Sequence, residues 1–481
     1  MQNEVGYVLS ISDSLIFLDG LPNVHINDLI VNEQGIRGVI SALLKNQVEV
    51  WVLDEGDIRI GQVFKTTNEH LSINVGDFLL GRAINPLGVP IDGKGPVSKT
   101  RGVNLRLDAI APGIQTREFI KSQFTTGITL IDTLIPIGKG QRQLILGDAR
   151  SGKNQFILDL LLNQSKLGTL CVYAAVGRPI STVKSMINFL QETGSVKNTV
   201  VVATSSTESQ PLIYHTPYAA MTIAEYFARK GQDVLFIIDD LGVHAKVYRE
   251  LSLLAGRFPG RQAYPGDIFH THAKLLERAG NFNVSLGGAS ITALPIMDIT
   301  SDDFTTLIPT NLMSMTDGHF LFSSELFGQG FNPAIDIPQS VSRVGRQTQN
   351  QLQNSLSLKI RQVLSEGAQL ETTSSFAAEL PPQTRLIITQ KEMIEEIIKQ
   401  DPFSFMPPII QLILLGLIFT NFLMSKNSFF LKTNKSKLLK FFEDPKAKLL
   451  LKSLESVKSL DELLVKLNSL SPRLEQICHE D

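Results

Sequence analysis

The chain has 481 residues, of which 43% are apolar, enough for about three domains with substantial cores. Its formal net charge is -2, from 45 Lys+Arg against 47 Asp+Glu, which excludes a global attraction to nucleic acid or to an anionic membrane surface. The only cysteines, Cys171 and Cys478, stand far apart, so no disulfide framework is expected and a reducing compartment follows.

The N-terminal stretch MQNEVGYVLSISDSLIFLDG has no basic region and alternates like a strand almost from its start. No signal or transit peptide is expected. Through residue 92, VGYVLSIS, LIFLDG, RGVISALL, VEVWVLD and IGQVFKT alternate or run apolar for strand lengths between Gly, Asn and Asp turns, the pattern of a small β-barrel. With one tryptophan, Trp51, and no basic stripe, this barrel lacks the stacking platform of a nucleic-acid binder. It reads as a structural collar.

Leu87-Gly88-Val89-Pro90 and Gly93-Lys94-Gly95-Pro96 mark a turn-rich boundary. Beyond it, Leu144-Ile145-Leu146 leads into Gly147-Asp148-Ala149-Arg150-Ser151-Gly152-Lys153-Asn154, and an apolar helical pattern begins at Phe156. Strand, glycine-bounded loop and helix start form an anion cradle, in which loop N–H groups, through Gln155, and the Lys153 ammonium hold phosphates. The alternative is a glycine loop that merely connects. GxxxxGK[ST] is broken at its last position, where Asn154 replaces the hydroxyl that helps to hold Mg²⁺.

Strand and helix patterns then alternate: Leu170 to Val176, Ser181 to Gln191, Thr199 to Ala203 and Ala219 to Arg229. This predicts a parallel sheet flanked by helices. Val234 to Ile238 is an apolar run that ends in Asp239-Asp240. A buried strand delivering an acid at its C-terminal end suits a Walker B ligand for Mg²⁺, Asp239, although such acids also serve as helix caps.

His270 and His272 fall on different sides of a helix start, and no third ligand lies nearby in sequence. They read as capping and packing residues rather than a metal pair. Ile409 to Met424 is strongly apolar but contains Gln411, Thr420 and Asn421. It is shorter than the roughly 20 residues of a membrane span and reads as a buried helix. Lys426 to Lys466 holds ten lysines against five acids, with leucines at helical spacing, the pattern of an amphipathic helix pair with a solvated basic face. A docking surface for an acidic partner is the alternative.

Six motifs stand in order: GDARSGKN, LFIIDDL, GRQAYPGDIFHTHAKLLERAG, GGASITALPI, IPTNLMSMTDG and SVSRVG. With GRAINPLGVPIDGKGP and APGI, they resemble the α subunits of F-type rotary ATPases over nearly the whole chain. The resemblance implies a multi-domain chain: an N-terminal β-barrel (1–92), a central α/β RecA-like P-loop domain (93–370) and a C-terminal α-helical bundle (371–481). It further implies an alternating ring of three such chains with three catalytic beta-type subunits around a gamma-type shaft. ATP or ADP would lie on the P-loop, near Phe327 of FGQGFNP and Gln400. Arg343, beside Ser342, would act as an arginine finger in the neighbour's catalytic site. The complex would be cytoplasmic, peripheral at the inner face of a membrane.

Departures from the family pattern carry their own implications. The catalytic β subunit has GERxxE, whose glutamate activates the attacking water, where this chain reads Val176-Gly177-Arg178-Pro179-Ile180-Ser181. Catalysis at this chain's own site is therefore disfavoured. Asn154, Arg178 and Asn332 stand where the family's α subunits usually have Thr, Gln and Arg, and Gln-x-Gln-Tyr becomes Gln400-Asp401-Pro402-Phe403. Nucleotide binding is thus expected to be weak, Mg²⁺-independent or absent. Barrel residues begin by Val5, without the family's N-terminal stator-docking helix. The pattern implies a divergent member, of the mycoplasma F-type-like class. A self-sufficient export ATPase or helicase, and a purely structural ring subunit, are the competing readings.

Overall fold

Residues 4–97, 102–300, 303–374 and 381–479 are described by a computed structural model. Six strands near the N-terminus, β1 (Val5–Ser12), β2 (Leu15–Gly20), β3 (Asp28–Asn32), β4 (Arg37–Leu43), β5 (Val48–Val52) and β6 (Val63–His70), close into an antiparallel barrel in the order β1-β2-β5-β4-β3-β6. β1 pairs with β6 to complete the ring. Val8, Ile16, Leu18, Ile30, Val50 and Phe64 fill its interior, as a barrel this small requires. β3 escapes a reading of the sequence because DLIVN is short and flanked by turn residues. Trp51 is buried, its ring edge-on to Tyr214 at 5.0 Å. It anchors the barrel to a helix and offers no stacking surface.

A short hairpin, β7 (Ser72–Val75) with β9 (Val103–Arg106), follows the barrel, and β8 (Ala83–Ile84) lies between them in sequence. The central sheet contains β10 (Gln143–Gly147), β11 (Leu170–Arg178), β12 (Thr199–Ser205), β13 (Val234–Asp239) and β15 (Ser290–Asp298). With β8 they run in the order β10-β15-β13-β11-β12-β8, every pairing parallel. A two-residue strand, β14 (Gly280–Asn281), is antiparallel to β15. All six residues of β13 are buried, which explains the apolar run from Val234 to Ile238 that precedes its closing acid.

The helices between strands are α1 (Lys153–Leu167), α2 (Ile180–Glu192), α3 (Gln210–Arg229), α4 (Leu241–Leu254) and α5 (Ile268–Leu276). α3 begins at Gln210 rather than at Ala219, and runs through Pro217. The sequence pattern stops at that proline because it removes a backbone donor. Burial along α3 overrides the break.

By compactness the chain divides into two units, residues 1–119, 139–149 and 164–320 in one and 120–138, 150–163 and 321–481 in the other. In the second unit, helices Gln351–Ser374, Pro382–Ile398, Pro408–Leu417, Ser428–Glu443, Lys448–Glu455 and Leu460–His479 form the C-terminal helical region. The apolar stretch from Ile409 to Met424 becomes a buried helix, Pro408–Leu417, and a four-residue turn of helix, Asn421–Met424, that buries Phe422 and Leu423. Among the described residues no helix is long and apolar enough to cross a membrane. Where the lysine-rich segment predicts two helices, three form, since Pro445 interrupts the pattern. Leu431, Leu438, Leu454 and Leu463 face inward while Lys432, Lys440 and Lys452 are exposed.

Candidate nucleotide site

The loop from Gly147 to Gly152 joins β10 to α1, and Lys153 is the first helical residue. Gly152 has φ of +84°, in the left-handed region that glycine adopts without penalty. An added Cβ there would lie 2.7 Å from Phe327 Cδ2, so the Phe327 ring rests against the loop. Lys153 is buried, and its Nζ donates to Ser151 Oγ at 3.3 Å. Asp148 Oδ1 accepts from the Ala149 N–H at 2.6 Å. Arg150 and Asn154 are exposed. One turn on, Gln155 Nε2 donates to Asp159 Oδ1 at 2.8 Å, and the Phe403 N–H reaches the same oxygen at 2.7 Å.

Gln400 is mostly buried, and its side-chain amide is bonded to backbone. Nε2 donates to Gly127 O at 3.1 Å, and Oε1 accepts from the Thr129 N–H. Its own backbone pairs with Asn332, through both Gln400 N–H to Asn332 O and Asn332 Nδ2 to Gln400 O, each 2.9 Å. Ser342 Oγ donates to Pro136 O at 2.6 Å, and a Cβ on Gly345 would fall 1.7 Å from that same oxygen. Only glycine permits this approach, which fixes the base of the turn carrying the exposed Arg343.

Asp239 ends β13, and the Asp239–Asp240 peptide is cis. Asp239 Oδ2 accepts from Tyr173 Oη at 2.5 Å. Oδ1 accepts from Arg178 Nε at 3.0 Å and again from an Arg178 terminal nitrogen. The same guanidinium reaches Asp298 Oδ2 at 3.3 Å and Asp240 Oδ2 at 3.7 Å. Burial opposes the charge on Arg178, but the three carboxylates outweigh it and hold its pKa above the ordinary value. Burial, with Arg178 pulling the other way, pushes Asp240 up to about 6. Asp240 also caps α4, its Oδ1 accepting from the Val243 N–H at 2.6 Å, so the helix-cap role belongs to Asp240 and not to Asp239.

Arg178 reaches Asp239 because β11 is bulged. Ala175 pairs with Ala203, yet Arg178 pairs with Ser205, so one extra residue lies on β11. Gly177 takes φ of +58° there and its N–H donates to Thr204 Oγ1 at 3.2 Å. The insertion returns Arg178 to the face that carries Tyr173. Neither Tyr173 nor Asp298 is legible as a functional residue in the sequence. The available signal is weak: one phenol inside the apolar run LCVYAAV, and one acid closing a buried strand.

These donors do not fit Mg²⁺. Both lone pairs of Asp239 Oδ1 are engaged by one guanidinium, and Oδ2 is tied to a phenol, whereas the ion requires near-octahedral oxygen ligation. Among the described residues no group of three or more His, Cys, Asp or Glu is arranged to hold a metal.

A parallel sheet with a glycine-cornered strand-to-helix loop, a buried lysine and an acid closing the next strand but one defines the RecA-like P-loop class. Residues 127–342 match the nucleotide-binding domain of the ATP synthase alpha/beta family. The chain is 41% identical over 402 residues to ATP synthase subunit alpha of Caldanaerobacter subterraneus, covering 83% of this chain and 79% of that one. It is 42% identical over 401 residues to the Mycoplasma pneumoniae protein of the same name, covering 83% and 77%. ATP synthase subunit alpha 1 of Mycoplasmopsis pulmonis is 39% identical over 449 residues, covering 93% and 85%. The chain belongs to the ATP synthase alpha subunit family.

Proposed function

We propose that this chain is the non-catalytic, alpha-type subunit of a hetero-hexameric rotary ATPase, with three copies alternating with three beta-type subunits around a gamma-type shaft. It holds ATP or ADP at its own degenerate P-loop, weakly or without Mg²⁺, and lends Arg343 to ATP hydrolysis in the adjacent beta-type subunit. The complex works in the cytoplasm, peripheral to the inner face of a membrane, coupled to ion transport or motility.

The observation that carries the reading is the Arg178–Asp239 pair. A cation bonded to the closing acid of β13 stands in the segment where a catalytic subunit needs a carboxylate to activate water. The chain therefore lacks a general base there. Arg343 has the converse credentials. It is exposed, on a turn fixed by Ser342 and Gly345 against Pro136, and a planar guanidinium supplied in trans stabilises the charge that spreads over the transferring phosphoryl oxygens.

Co-expression with a beta-type partner tests both parts. Arg343→Ala is expected to leave the ring assembled and nucleotide bound while turnover falls about 10³-fold or more. Arg343→Lys should recover little, because a point charge cannot reproduce bidentate contacts. Hydrolysis at wild-type rate in Arg343→Ala rings would reduce the chain to architecture. Steady ATP turnover by the purified chain alone would overturn the non-catalytic assignment.

A further inference from the structure

We infer that Arg178 is a resident cation that replaces the divalent ion at Asp239, so that this subunit takes metal-free nucleoside polyphosphate. The inference rests on the nucleotide-binding reading above and extends it to the form of the ligand.

The geometry is specific. Arg178 bonds Asp239 through two nitrogens and stands within 3.7 Å of Asp240 and 3.3 Å of Asp298. Three carboxylates thus share one guanidinium. A divalent ion at Asp239 would have to displace it or sit against a fixed positive charge, and Coulomb repulsion between the two is severe where burial excludes water. Tyr173 holds the remaining oxygen. Burial, reinforced by Asp239, keeps that phenol protonated and donating. Asn154 adds the second half of the case, since an amide replaces the hydroxyl that a P-loop turns toward the metal. The bulge at Gly177 shows how a strand end accommodates the substitution: it returns the long side chain to the acid's face.

A guanidinium differs from Mg²⁺ in a way that nucleotide binding would register. It cannot be removed by chelation, and it brings a single positive charge. ATP held by a chain with this guanidinium gains no affinity from added Mg²⁺.

The test uses the full-length chain and Mn²⁺ alone, followed by electron paramagnetic resonance of the free ion. Wild-type protein should leave the signal of added Mn²⁺ undiminished, as should Arg178→Lys, which keeps the charge. Arg178→Gln removes the positive charge that the three acids share and should take up about one equivalent. Uptake of one equivalent by the wild type overturns the inference, as does a folded Arg178→Gln chain that binds none. Should Arg178→Gln fail to fold, the wild type and Arg178→Lys still decide. Calorimetry with ATP completes it. Wild-type affinity should be equal in EDTA and in Mg²⁺, while Arg178→Gln should weaken about tenfold in EDTA and recover with Mg²⁺. A wild type that needs Mg²⁺ for affinity also overturns the inference. A wild type that binds ATP in neither medium defeats the nucleotide-binding reading, while the Mn²⁺ titration still settles the role of Arg178.

Discussion

At Gly152 two constraints meet in one residue. Its φ of +84° disfavours any side chain, and Phe327 occupies the space a methyl would take. Gly152→Ala is expected to cost about 1–2 kcal/mol from the backbone alone, with the Phe327 ring displaced in addition. Urea titration of the purified chain measures the loss, and nucleotide binding should weaken in parallel because the loop N–H groups are re-aimed. Lys153 and Asp239 are legible from spacing, since a phosphate loop and an acid-tipped strand have sequence signatures. Arg178 is visible as a departure. Its bonds are not, because they depend on a bulge that a 2-residue period cannot reveal and on Tyr173, which reads as core. Gln400 is similarly opaque: nothing in the sequence announces that its amide is spent on Gly127 and Thr129.

Across α3, α4 and α5, His215, His244 and His272 lie buried among Tyr214, Tyr218 and Tyr248. His272 Nε2 and His244 Nδ1 are 3.3 Å apart, and Tyr214 stacks on His244 at 4.8 Å. The packing role expected of His272 fits this cluster, whose other members come from helices that spacing within α5 cannot show. Burial pushes His215 and His272 down to about 4, and burial together with His272 pushes His244 well below the ordinary value. With folded pKa values below the unfolded 6.5, the unfolded chain binds more protons between about pH 6.5 and 4. Stability is therefore complete above about pH 6.5 and falls as the pH drops toward 4, by roughly 2 kcal/mol at pH 5 for each of His215 and His272. Urea midpoints at pH 7.5 and pH 5 check this. His272→Phe should flatten the dependence.

For the whole molecule, the order of barrel, α/β sheet and helices is legible because each class has its own period and punctuation. The way one compact unit gathers segments 120–138, 150–163 and 321–481 is not. Its basis lies in pairings such as Asp132, fully buried, which accepts from Thr126 N–H and Oγ1 at 2.8 Å, Gly127 N–H at 2.9 Å and Gln411 Nε2 at 3.0 Å. A glutamine inside an apolar helix looks like a flaw until this partner is known. Gln411→Leu should destabilise the chain by about 1–3 kcal/mol, the cost of leaving a buried acceptor short of a donor, as read from chemical denaturation.

Asp132 and Gln411 are 279 residues apart. A ribosome adding about 5–20 residues per second needs roughly 15–60 s to travel between them. Throughout that interval the Thr126–Leu134 segment, destined for complete burial around its carboxylate, is without the helix Pro408–Leu417 that helps to cover it. Birth of this chain thus includes a long wait with apolar surface uncovered, a period in which a holding chaperone has something definite to hold.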